Sequence, residues 1–551
     1  MARILLLSLT FFVLSAHGQK LKKEDKLLAG NLQEHATFLS SDALEGRRTG
    51  SAGEQKAAEY ISGVFQKLGL TPKGSQNYMQ EFEIGEGKQV NPTTHLLINE
   101  TELLLNKDFY PLTYSVSSSV AAMPSIALQE TGMPWFVDLK ELLEENKNNP
   151  HFDKAEAVRK KADQLASRGA TALFFYNTSS LEDGLAFEAR DASEPMRIPV
   201  VYITKSAATK YLADETASLD IKLKVDIGPK IRKGRNVVGF IDNGAATTVV
   251  LGAHYDHLGW GEDGNSLVRG VKEVHNGADD NASGTAALLE LARLLKSSKT
   301  KGSNFMFIAF SGEELGLFGS KYFVEHPTTD LKRVNYMINM DMVGRLNDSS
   351  KMLTVGGYGT SAAWGEAYAA KGKSALFSSG LKFRFDSSGT GPSDHTSFYR
   401  QGIPVLFYFT GLHSDYHKPS DDAAKLNISG EVNIVKHVLS LVETIDKKGV
   451  KLPFNTTREM QTATAARFSV SLGIMPDYTY SGAGVRADGV SENRPAQKAG
   501  IKTGDIITAL GPNKVTSMES YMQALGKFKK GDKTIVTYQR GKDSHSTTVE
   551  F

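Results

Sequence analysis

The sequence has 551 residues, of which 40% are hydrophobic, 9% aromatic and 23% charged, which excludes a disordered or collagen-like chain. At ~100–200 residues per domain, this length predicts roughly three to five domains. The 64 basic and 62 acidic residues leave a net charge of +2 without a long basic run, so nucleic acid is not an expected partner. The sequence contains no cysteine, which excludes disulfides and thiolate metal ligands.

The first 18 residues have the pattern of a secretory signal peptide. Arg3 precedes an apolar run of 11 residues, Ile4 to Leu14, and the small residues before Gln19 predict cleavage near Gly18. A membrane anchor needs about 20 apolar residues, and no segment of the chain reaches that length. We therefore expect an exported protein, in the periplasm of a bacterium or outside the cell, without a transmembrane segment.

Hydrophobic periodicity predicts the next elements. Ala57, Ile61, Phe65 and their neighbours lie at helical spacing, which predicts an amphipathic helix over 52–68. From Val237 onward, strand-like runs alternate with helices, which indicates an α/β domain with a largely parallel sheet and functional residues at the strand C-termini. The predicted elements are strands at 237–241, 248–253, 305–310, 336–340 and 405–409, and a helix at 284–295.

Residues 105–230 form an insertion with secondary structure of its own. We predict a helix over 156–167 and strands over 172–176 and 200–203. The segment from Lys154 to Ala170, followed by Ile198-Pro199-Val200-Val201, resembles a protease-associated domain. An ordinary α/β subdomain is the alternative.

The C-terminal part, residues 465–551, resembles a PDZ domain. The resemblance rests on Ser471-Leu472-Gly473-Ile474 and on the run from Arg494 to Ile507, which contains Pro-Ala, Ala-Gly and Gly-Asp-Ile-Ile. It implies that Leu472, Gly473 and Ile474 form a loop that binds a peptide carboxylate, while the peptide pairs with a sheet edge. A purely structural tail is the alternative.

Five short segments of the α/β domain carry side chains that bind metals. Each segment alone is a weak signal, but together, and in this order, they resemble the clan MH family of cocatalytic dizinc aminopeptidases. The resemblance also covers Gly46-Arg47 with the helix that follows, and residues 236–446. The five segments are His254-Tyr255-Asp256, Asp279-Asp280-Asn281, Glu313-Glu314, Asn339-Met340-Asp341 and Tyr416-His417.

This resemblance implies a fold and an activity. The fold is a three-layer α/β/α sandwich with a central mixed sheet, built from residues 19–104 and 231–455. The activity is hydrolysis of N-terminal residues from peptides with two Zn²⁺ as cofactors. Two zinc ions ~3.5–4 Å apart share a bridging carboxylate and water, and imidazole and carboxylate are the strong zinc ligands that a cysteine-free chain offers.

The resemblance also implies a role for each site residue. His254 and Asp341 hold one zinc, Glu314 and His417 hold the other, and Asp280 bridges them, with a cis peptide bond between Asp280 and Asn281. Glu313 is the general base. Tyr416 polarises the scissile carbonyl. Asp256 and Asp394 do not bind the zinc ions but orient the side chains that do.

Several alternatives stay open. His413 is an alternative candidate for a zinc ligand. His257, His275 and His395 are expected either to contact the zinc ligands or to pack in the protein interior. A carboxypeptidase, a relative resembling glutaminyl cyclase, and a non-catalytic peptide-binding scaffold are alternative functions. The sequence does not predict the preferred N-terminal residue of the substrate.

Overall fold

The computed structural model describes most of the chain as two compact units. One unit comprises Met1–Phe82 and Lys233–Phe551, and the other comprises Glu83–Arg232. The expected signal peptide and residues 465–469 lie outside the described residues, and no described helix is long and apolar enough to cross a membrane. The structure describes residues 23–149, 152–189, 191, 193–214, 216–268, 270–369, 380–457, 470–476, 483–490, 494–516 and 518–551.

The N-terminal segment supplies two helices to the first unit. The elements are α1 (Lys23–Leu39), α2 (Ala52–Lys67), β1 (Thr71–Pro72) and β2 (Met79–Val90). Helix α2 begins after Ser51, whose hydroxyl accepts a hydrogen bond from the backbone N–H of Glu54. It ends before Gly69, which has a positive φ of 67°. The predicted helix is confirmed, and the apolar residues at its helical spacing are buried.

The second unit contains two small sheets. In the described residues, one four-stranded sheet has the order β4-β3-β10-β6 and the other has the order β5-β9-β8-β7. The unit begins at Glu83, earlier than the expected boundary at residue 105, because β3 and β4 join the sheet of the much later strand β10. Its elements are β3 (His95–Ile98), β4 (Thr101–Leu103), β5 (Phe109–Pro111), β6 (Ser118–Ala122), β7 (Trp135–Asp138), α3 (Lys140–Glu145), α4 (Lys154–Ser167), β8 (Leu173–Tyr176), β9 (Val200–Ile203), α5 (Lys205–Tyr211) and β10 (Ile221–Val225).

A mixed sheet forms the centre of the first unit. Its nine strands among the described residues have the order β1-β11-β13-β12-β14-β17-β15-β16, with β2 paired to β11. The four central strands β13, β12, β14 and β17 are parallel, and β11 and β15 join them antiparallel. The elements from here are β11 (Ile227–Ile241), β12 (Thr248–His254), α6 (Gly284–Ser297), β13 (Asn304–Phe310), α7 (Phe318–Glu325), β14 (Val334–Met340), β15 (Met352–Gly356), α8 (Ala362–Ala369), β16 (Lys382–Phe385), α9 (His395–Tyr399), β17 (Val405–Phe409) and α10 (Ile428–Asp446).

Both faces of this sheet are buried, because alternate side chains along each strand pack into a core on either side. Val249 and Leu251 of β12 belong to the core that contains α1, α2, α6 and α10. Val250 faces the opposite side, where it joins Phe323 of α7 and Phe398 of α9. The three-layer arrangement with a central mixed sheet is therefore confirmed. A largely parallel sheet is correct for the four central strands but not for the whole sheet, because β11 and β15 pair antiparallel with their central neighbours.

Residues 470–551 form a separate β-rich domain within the first unit. Its described strands have the order β18-β19-β20-β22-β23, with β21 paired to β20. Leu472, Ile507 and Val536 are fully buried in its core. The elements are β18 (Ile474–Pro476), β19 (Val485–Val490), α11 (Pro495–Lys498), β20 (Ile506–Leu510), β21 (Asn513–Lys514), α12 (Met518–Leu525), β22 (Lys533–Arg540) and β23 (Asp543–Glu550).

Candidate metal centre

The predicted metal ligands meet at one edge of the central sheet. His254 is the last residue of β12, Glu314 follows β13, Asp341 follows β14, and His417 lies in the loop after β17. These strands are parallel, so their carboxyl ends share an edge. Asp280 reaches the same place from the helical turn Ala278–Ser283, which precedes α6.

Asp280 lies between two histidines. Its Oδ1 is 3.3 Å from His254 Nε2, and its Oδ2 is 3.2 Å from His417 Nε2. Each histidine also faces a second carboxylate, because His254 Nε2 is 3.3 Å from Asp341 Oδ1 and His417 Nε2 is 3.1 Å from Glu314 Oε2. The structure thus brings the five expected ligands together, with one carboxylate shared between two half-sites.

His257 lies closer to this centre than the sequence analysis indicated. Its Nδ1 is 2.7 Å from Glu314 Oε1 and 3.9 Å from Asp280 Oδ2. The ring also meets that of His417 edge to face, with centroids 5.8 Å apart. The ligand atoms of His257, Asp280 and Glu314 lie within 4.8 Å of one another, as do those of His254, Asp280 and Asp341. The feature of the sequence that could have indicated this position is that His257 follows His254 by three residues.

The expected general base is held through its backbone. Glu313 is half-buried, and its Oε2 is 4.0 Å from His254 Nε2. The backbone N–H of Glu313 donates to Asp256 Oδ1 (3.2 Å), and the Thr49 hydroxyl donates to Asp256 Oδ2 (2.9 Å). Asp256 Oδ1 is also 3.6 Å from His254 Nδ1. Asp256 therefore contacts the candidate base and the imidazole of His254.

The other residues singled out from the sequence have varied positions. Tyr416 stacks on His417, with ring centroids 3.9 Å apart. Asp394 is fully buried, and neither of its oxygens has a hydrogen-bond partner among the described residues. Burial raises the pKa of Asp394 to about 7. His413 Nε2 is 3.2 Å from Asp279 Oδ2, so its position favours pairing with Asp279 rather than a place among the five ligands.

Hydrogen bonds that the sequence analysis did not predict hold the ligand residues and their loops in place. The Ser393 hydroxyl donates to Asp341 Oδ2 (2.8 Å). Asp421 Oδ2 accepts the backbone N–H groups of Asp279 (2.9 Å) and Asp280 (3.1 Å). Such contacts join residues far apart in the chain, and no local sequence pattern marks them.

Arg47 connects the N-terminal segment to both ligand loops. Its fully buried guanidinium donates to the carbonyl oxygens of Leu39, Tyr255, Asn276 and Gly277. Burial lowers the pKa of Arg47 to about 10, a value that leaves it charged at neutral pH. The loop after β12 and the loop before Asp280 thus share one cationic anchor.

A glycine is required in the loop that precedes Asp280. Gly277 has a φ of 53°, and a Cβ there would lie 2.2 Å from the carbonyl oxygen of Asp280 and 2.4 Å from His257 Cδ2. The Asp280–Asn281 peptide bond that follows is cis, as the resemblance implies.

The charge balance of the centre favours a bound cation. Burial and the neighbouring Asp341 and Glu314 raise the pKa of Glu313 well above its ordinary value, against the opposing effect of His254. Burial lowers the pKa of His417, but Glu314 and Asp280 reverse this and raise it well above 6.5. Asp280, Glu313, Glu314 and Asp341 are thus crowded together at low exposure. Divalent cations held by carboxylate oxygen and imidazole nitrogen would relieve this repulsion, so the donor set fits a metal.

The expected peptide-binding loop of the C-terminal domain is only partly available. Leu472 is fully buried, and its carbonyl oxygen accepts the N–H of Ala496. The N–H of Gly473 donates to the Ser471 hydroxyl (3.1 Å). Ile474 begins β18, which pairs with β19 and is the end strand of the described sheet. No strand of the described residues pairs with the outer edge of β18, whereas a carboxylate at Gly473 would have to replace a hydrogen bond.

A cluster of imidazoles and carboxylates beside a cavity, at the carboxyl edge of a three-layer α/β sheet, is typical of metallohydrolases. The sequence profile of Peptidase family M28 matches residues 236–442, and that of the PDZ domain matches residues 470–551. Residues 236–442 therefore match peptidase family M28, and residues 470–551 match the PDZ domain. The predicted family and PDZ resemblance are therefore confirmed.

The chain is similar to several aminopeptidases. Aminopeptidase YwaD of Bacillus subtilis is 27% identical over 440 residues, which cover 74% of this chain and 83% of that protein. The probable lipoprotein aminopeptidase LpqL of Mycobacterium tuberculosis is 30% identical, but the match covers 46% of this chain and 48% of LpqL. The chain thus spans about half the length of LpqL. The solved structure of BSAP, a zinc aminopeptidase from Bacillus subtilis, gives a TM-score of 0.41 at 23% identity and covers 75% of this chain and 94% of that one.

Proposed function

We propose that this protein is a zinc aminopeptidase that hydrolyses the N-terminal peptide bond of peptides. The observation that carries the proposal is the position of Asp280, whose two oxygens each face a different histidine paired with a further carboxylate. Imidazole and carboxylate ligands without thiolate suit a catalytic zinc site. The match of residues 236–442 to a peptidase family and the similarity to named aminopeptidases support the same activity.

Five residues would hold two zinc ions. His254 and Asp341 would bind one, Glu314 and His417 the other, and Asp280 would bridge both. Bound zinc supplies a Lewis acid and a nucleophilic water at neutral pH. The His257 imidazole, 2.7 Å from Glu314 Oε1, would orient that carboxylate.

The remaining steps belong to the chain itself. Glu313 Oε2 faces the space beside His254 and would accept a proton from the attacking water, then deliver it to the nitrogen of the leaving amine. The contact of its backbone N–H with Asp256 would keep it in place during both transfers. The Tyr416 hydroxyl would donate a hydrogen bond to the scissile carbonyl oxygen.

The charge of the cavity favours an aminopeptidase over a carboxypeptidase. The lining residues of the cavity include Asp280, Glu313, Glu314 and Asp341, and none of the described lining residues is lysine or arginine. The zinc ions would neutralise Asp280, Glu314 and Asp341. Glu313 remains to attract a free α-ammonium group, whereas a substrate carboxylate would find no lysine or arginine among the described lining residues.

Chelation tests the proposal. Metal removal should abolish hydrolysis of aminoacyl p-nitroanilides, zinc should restore it, and elemental analysis should find two zinc ions per chain. N-acetylation of the substrate should prevent cleavage, because it removes the α-ammonium charge. Persistent hydrolysis after complete metal removal would refute the zinc mechanism, and cleavage of acetylated substrates at wild-type rates would refute the aminopeptidase assignment.

We further propose roles for the flanking parts. Residues 1–18 would direct export from a bacterial cell, since their charge and apolar run have the pattern of a signal peptide. The insert would be a protease-associated domain, and the PDZ domain would bind peptide C-termini along β18. Loss of export when Leu5 to Leu7 are replaced by aspartate would support the first of these roles, and unchanged export would contradict it.

A further inference from the structure

The cavity beside the metal centre extends along one face of the sheet. Strands β15 and β17 pair antiparallel with Thr354 opposite Phe409 and Gly356 opposite Phe407. Side chains alternate along a strand, so these four residues share a face, and Asn339 of β14, opposite Phe407, shares it too. Leu353, Val355 and Tyr408 point to the other face, into the helical core. The cavity therefore begins at Asp341 and passes over β17 and β15.

Aromatic rings line much of this extension, together with the hydroxyl side chains of Thr354, Ser388 and Thr390. Phe407 and Phe409 stack with centroids 5.9 Å apart, and the His395 ring stacks on Phe407 at 4.5 Å. Burial lowers the pKa of His395 to about 3, so this ring is neutral. A Cβ at Gly356 would lie 3.3 Å from the Phe407 ring, so the glycine keeps the space beside this ring open. These walls suit the methylene groups of a long side chain.

A single acidic residue lines the cavity beyond these aromatic rings. Asp386 follows β16, where its backbone N–H donates to the carbonyl oxygen of Val355 (2.9 Å). Its Oδ1 accepts the N–H of Ser388 (3.0 Å), and no charged group of the described residues pairs with its carboxylate. Burial raises the pKa of Asp386, and no cation among the described residues compensates for the lost hydration. In the described part of the chain this carboxylate therefore has no counter-ion, and a bound molecule could supply one.

The span from the metal centre to Asp386 matches one amino-acid side chain. The strand order β14-β17-β15-β16 places three strand spacings of about 4.8 Å, or about 14 Å, between Asp341 and Asp386. The register sets Asp386 level with Asn339, two residues or about 6.6 Å along the strand from Asp341, so the two Cα atoms lie about 16 Å apart. A lysine measures about 6 Å from Cα to Nζ, and its N–Cα bond adds about 1.5 Å. Hydrogen bonds of about 3 Å at the α-amine and at Nζ bring this length to about 13.5 Å. The side chains of Asp341 and Asp386, which both line the cavity, cover the remaining distance. Arginine is slightly longer and has the same charge.

We propose that this cavity receives the side chain of the N-terminal residue and that Asp386 selects lysine or arginine there. The proposal rests on the proposed aminopeptidase function and names its substrate class, peptides with a basic N-terminal residue. The aliphatic part of the side chain would lie between Phe407, Phe409 and Met342, and its cationic end would contact the accessible Asp386 oxygen. A leucine or phenylalanine would leave that carboxylate without a partner.

Norleucine provides a sharp comparison, because it has the methylene chain of lysine without the charge. The kcat/KM of the zinc-loaded full chain should be measured for lysyl, arginyl, norleucyl and leucyl p-nitroanilides. A partly buried hydrogen bond between charged groups should favour lysine over norleucine by roughly 10- to 100-fold. Equal or faster hydrolysis of the norleucyl substrate would overturn the inference while leaving the aminopeptidase function intact, and hydrolysis of none of the four would refute that function itself.

Asp386→Asn tests the residue. The Ser388 N–H keeps an acceptor in this variant, and the ratio of lysyl to norleucyl kcat/KM should fall by roughly 10- to 100-fold. Asp242→Asn is the matched control, because Asp242 is exposed and makes the same kind of contact with the N–H of Gly244 (2.9 Å). Its ratio should equal that of the wild type. An unchanged ratio in Asp386→Asn with a full zinc content would assign the selection to other residues and overturn the proposal.

Discussion

Replacing Asp421 by alanine removes the acceptor that holds the backbone of the bridging carboxylate. Asp421 is fully buried, and its Oδ2 accepts the N–H groups of Asp279 and Asp280. In the alanine variant these two donors would be buried without a partner. Each orphaned donor costs about 1–3 kcal/mol, so the free energy of unfolding should fall by about 2–6 kcal/mol.

Asparagine at the same position separates hydrogen bonding from charge. Burial and the nearby Asp279 raise the pKa of Asp421 to about 6, so the fold does not favour its negative charge. Asp421→Asn keeps an oxygen for both N–H groups, and its loss of stability should be less than half that of Asp421→Ala. We expect zinc affinity to follow the same order and to fall about 10- to 100-fold in the alanine variant.

Denaturant unfolding of the zinc-loaded protein, with a zinc competition titration, measures both effects. Asp422→Ala is the matched control, because this neighbouring aspartate is exposed and its side chain caps no helix. If Asp421→Ala unfolds with the same free energy as Asp422→Ala and binds zinc equally well, the backbone contacts of Asp421 do not position Asp280.

Three further predictions follow from the site and the fold. Glu313→Gln should retain its zinc content but lose about 10²–10⁴-fold in kcat, and wild-type turnover in this variant would exclude Glu313 as the base. Glu290, on α6, lies 3.8 Å from His35 Nε2 and accepts hydrogen bonds from Arg293 and Asn31. Burial opposes the shift, but the contact with His35 and then those with Arg293 and Asn31 lower the pKa of Glu290. Its carboxylate therefore stabilises the fold above the unfolded pKa of about 4.3, and this contribution disappears as pH falls through the folded pKa. The Tm deficit of Glu290→Gln should therefore be largest above pH 5 and shrink below pH 4, and a deficit that grows with acid in thermal scans would contradict this. Removal of residues 468–551 should leave hydrolysis of an aminoacyl p-nitroanilide within about threefold of wild type, because the expected ligands precede this part; a truncated protein that binds zinc without cleaving would make the PDZ domain part of the active site.

The sequence predicted the parts of the site that depend on local patterns. Buried strands such as β12 and β17 are short apolar runs, and the residues that follow them must reach the same sheet edge when the strands are parallel. His254, Asp341 and His417 could therefore be grouped before any distance was known. Helix α6 was predicted for the same reason, since its apolar residues repeat at helical spacing.

The parts that were not predicted depend on contacts between distant segments. Strand β16 was missed because it is short and largely exposed, and Asp386 was missed with it. The contacts of Asp421 with the Asp280 backbone, and of Ser393 with Asp341, join separate loops by single hydrogen bonds. The early boundary of the insert follows from the pairing of β3 with β10, more than 120 residues later.

The divided first unit also determines the order in which the chain can fold during synthesis. Helix α2 buries Ile61 and Phe65 against strands that follow residue 232, so the ribosome must first complete the second unit, Glu83–Arg232. At about 5–20 residues per second, these residues take roughly 8–30 seconds. During that interval the apolar faces of α1 and α2 lack their native partners, and the inserted unit can complete its own core. A chaperone or the export machinery would thus meet a nascent chain in which the insert is folded and the first unit is not yet folded.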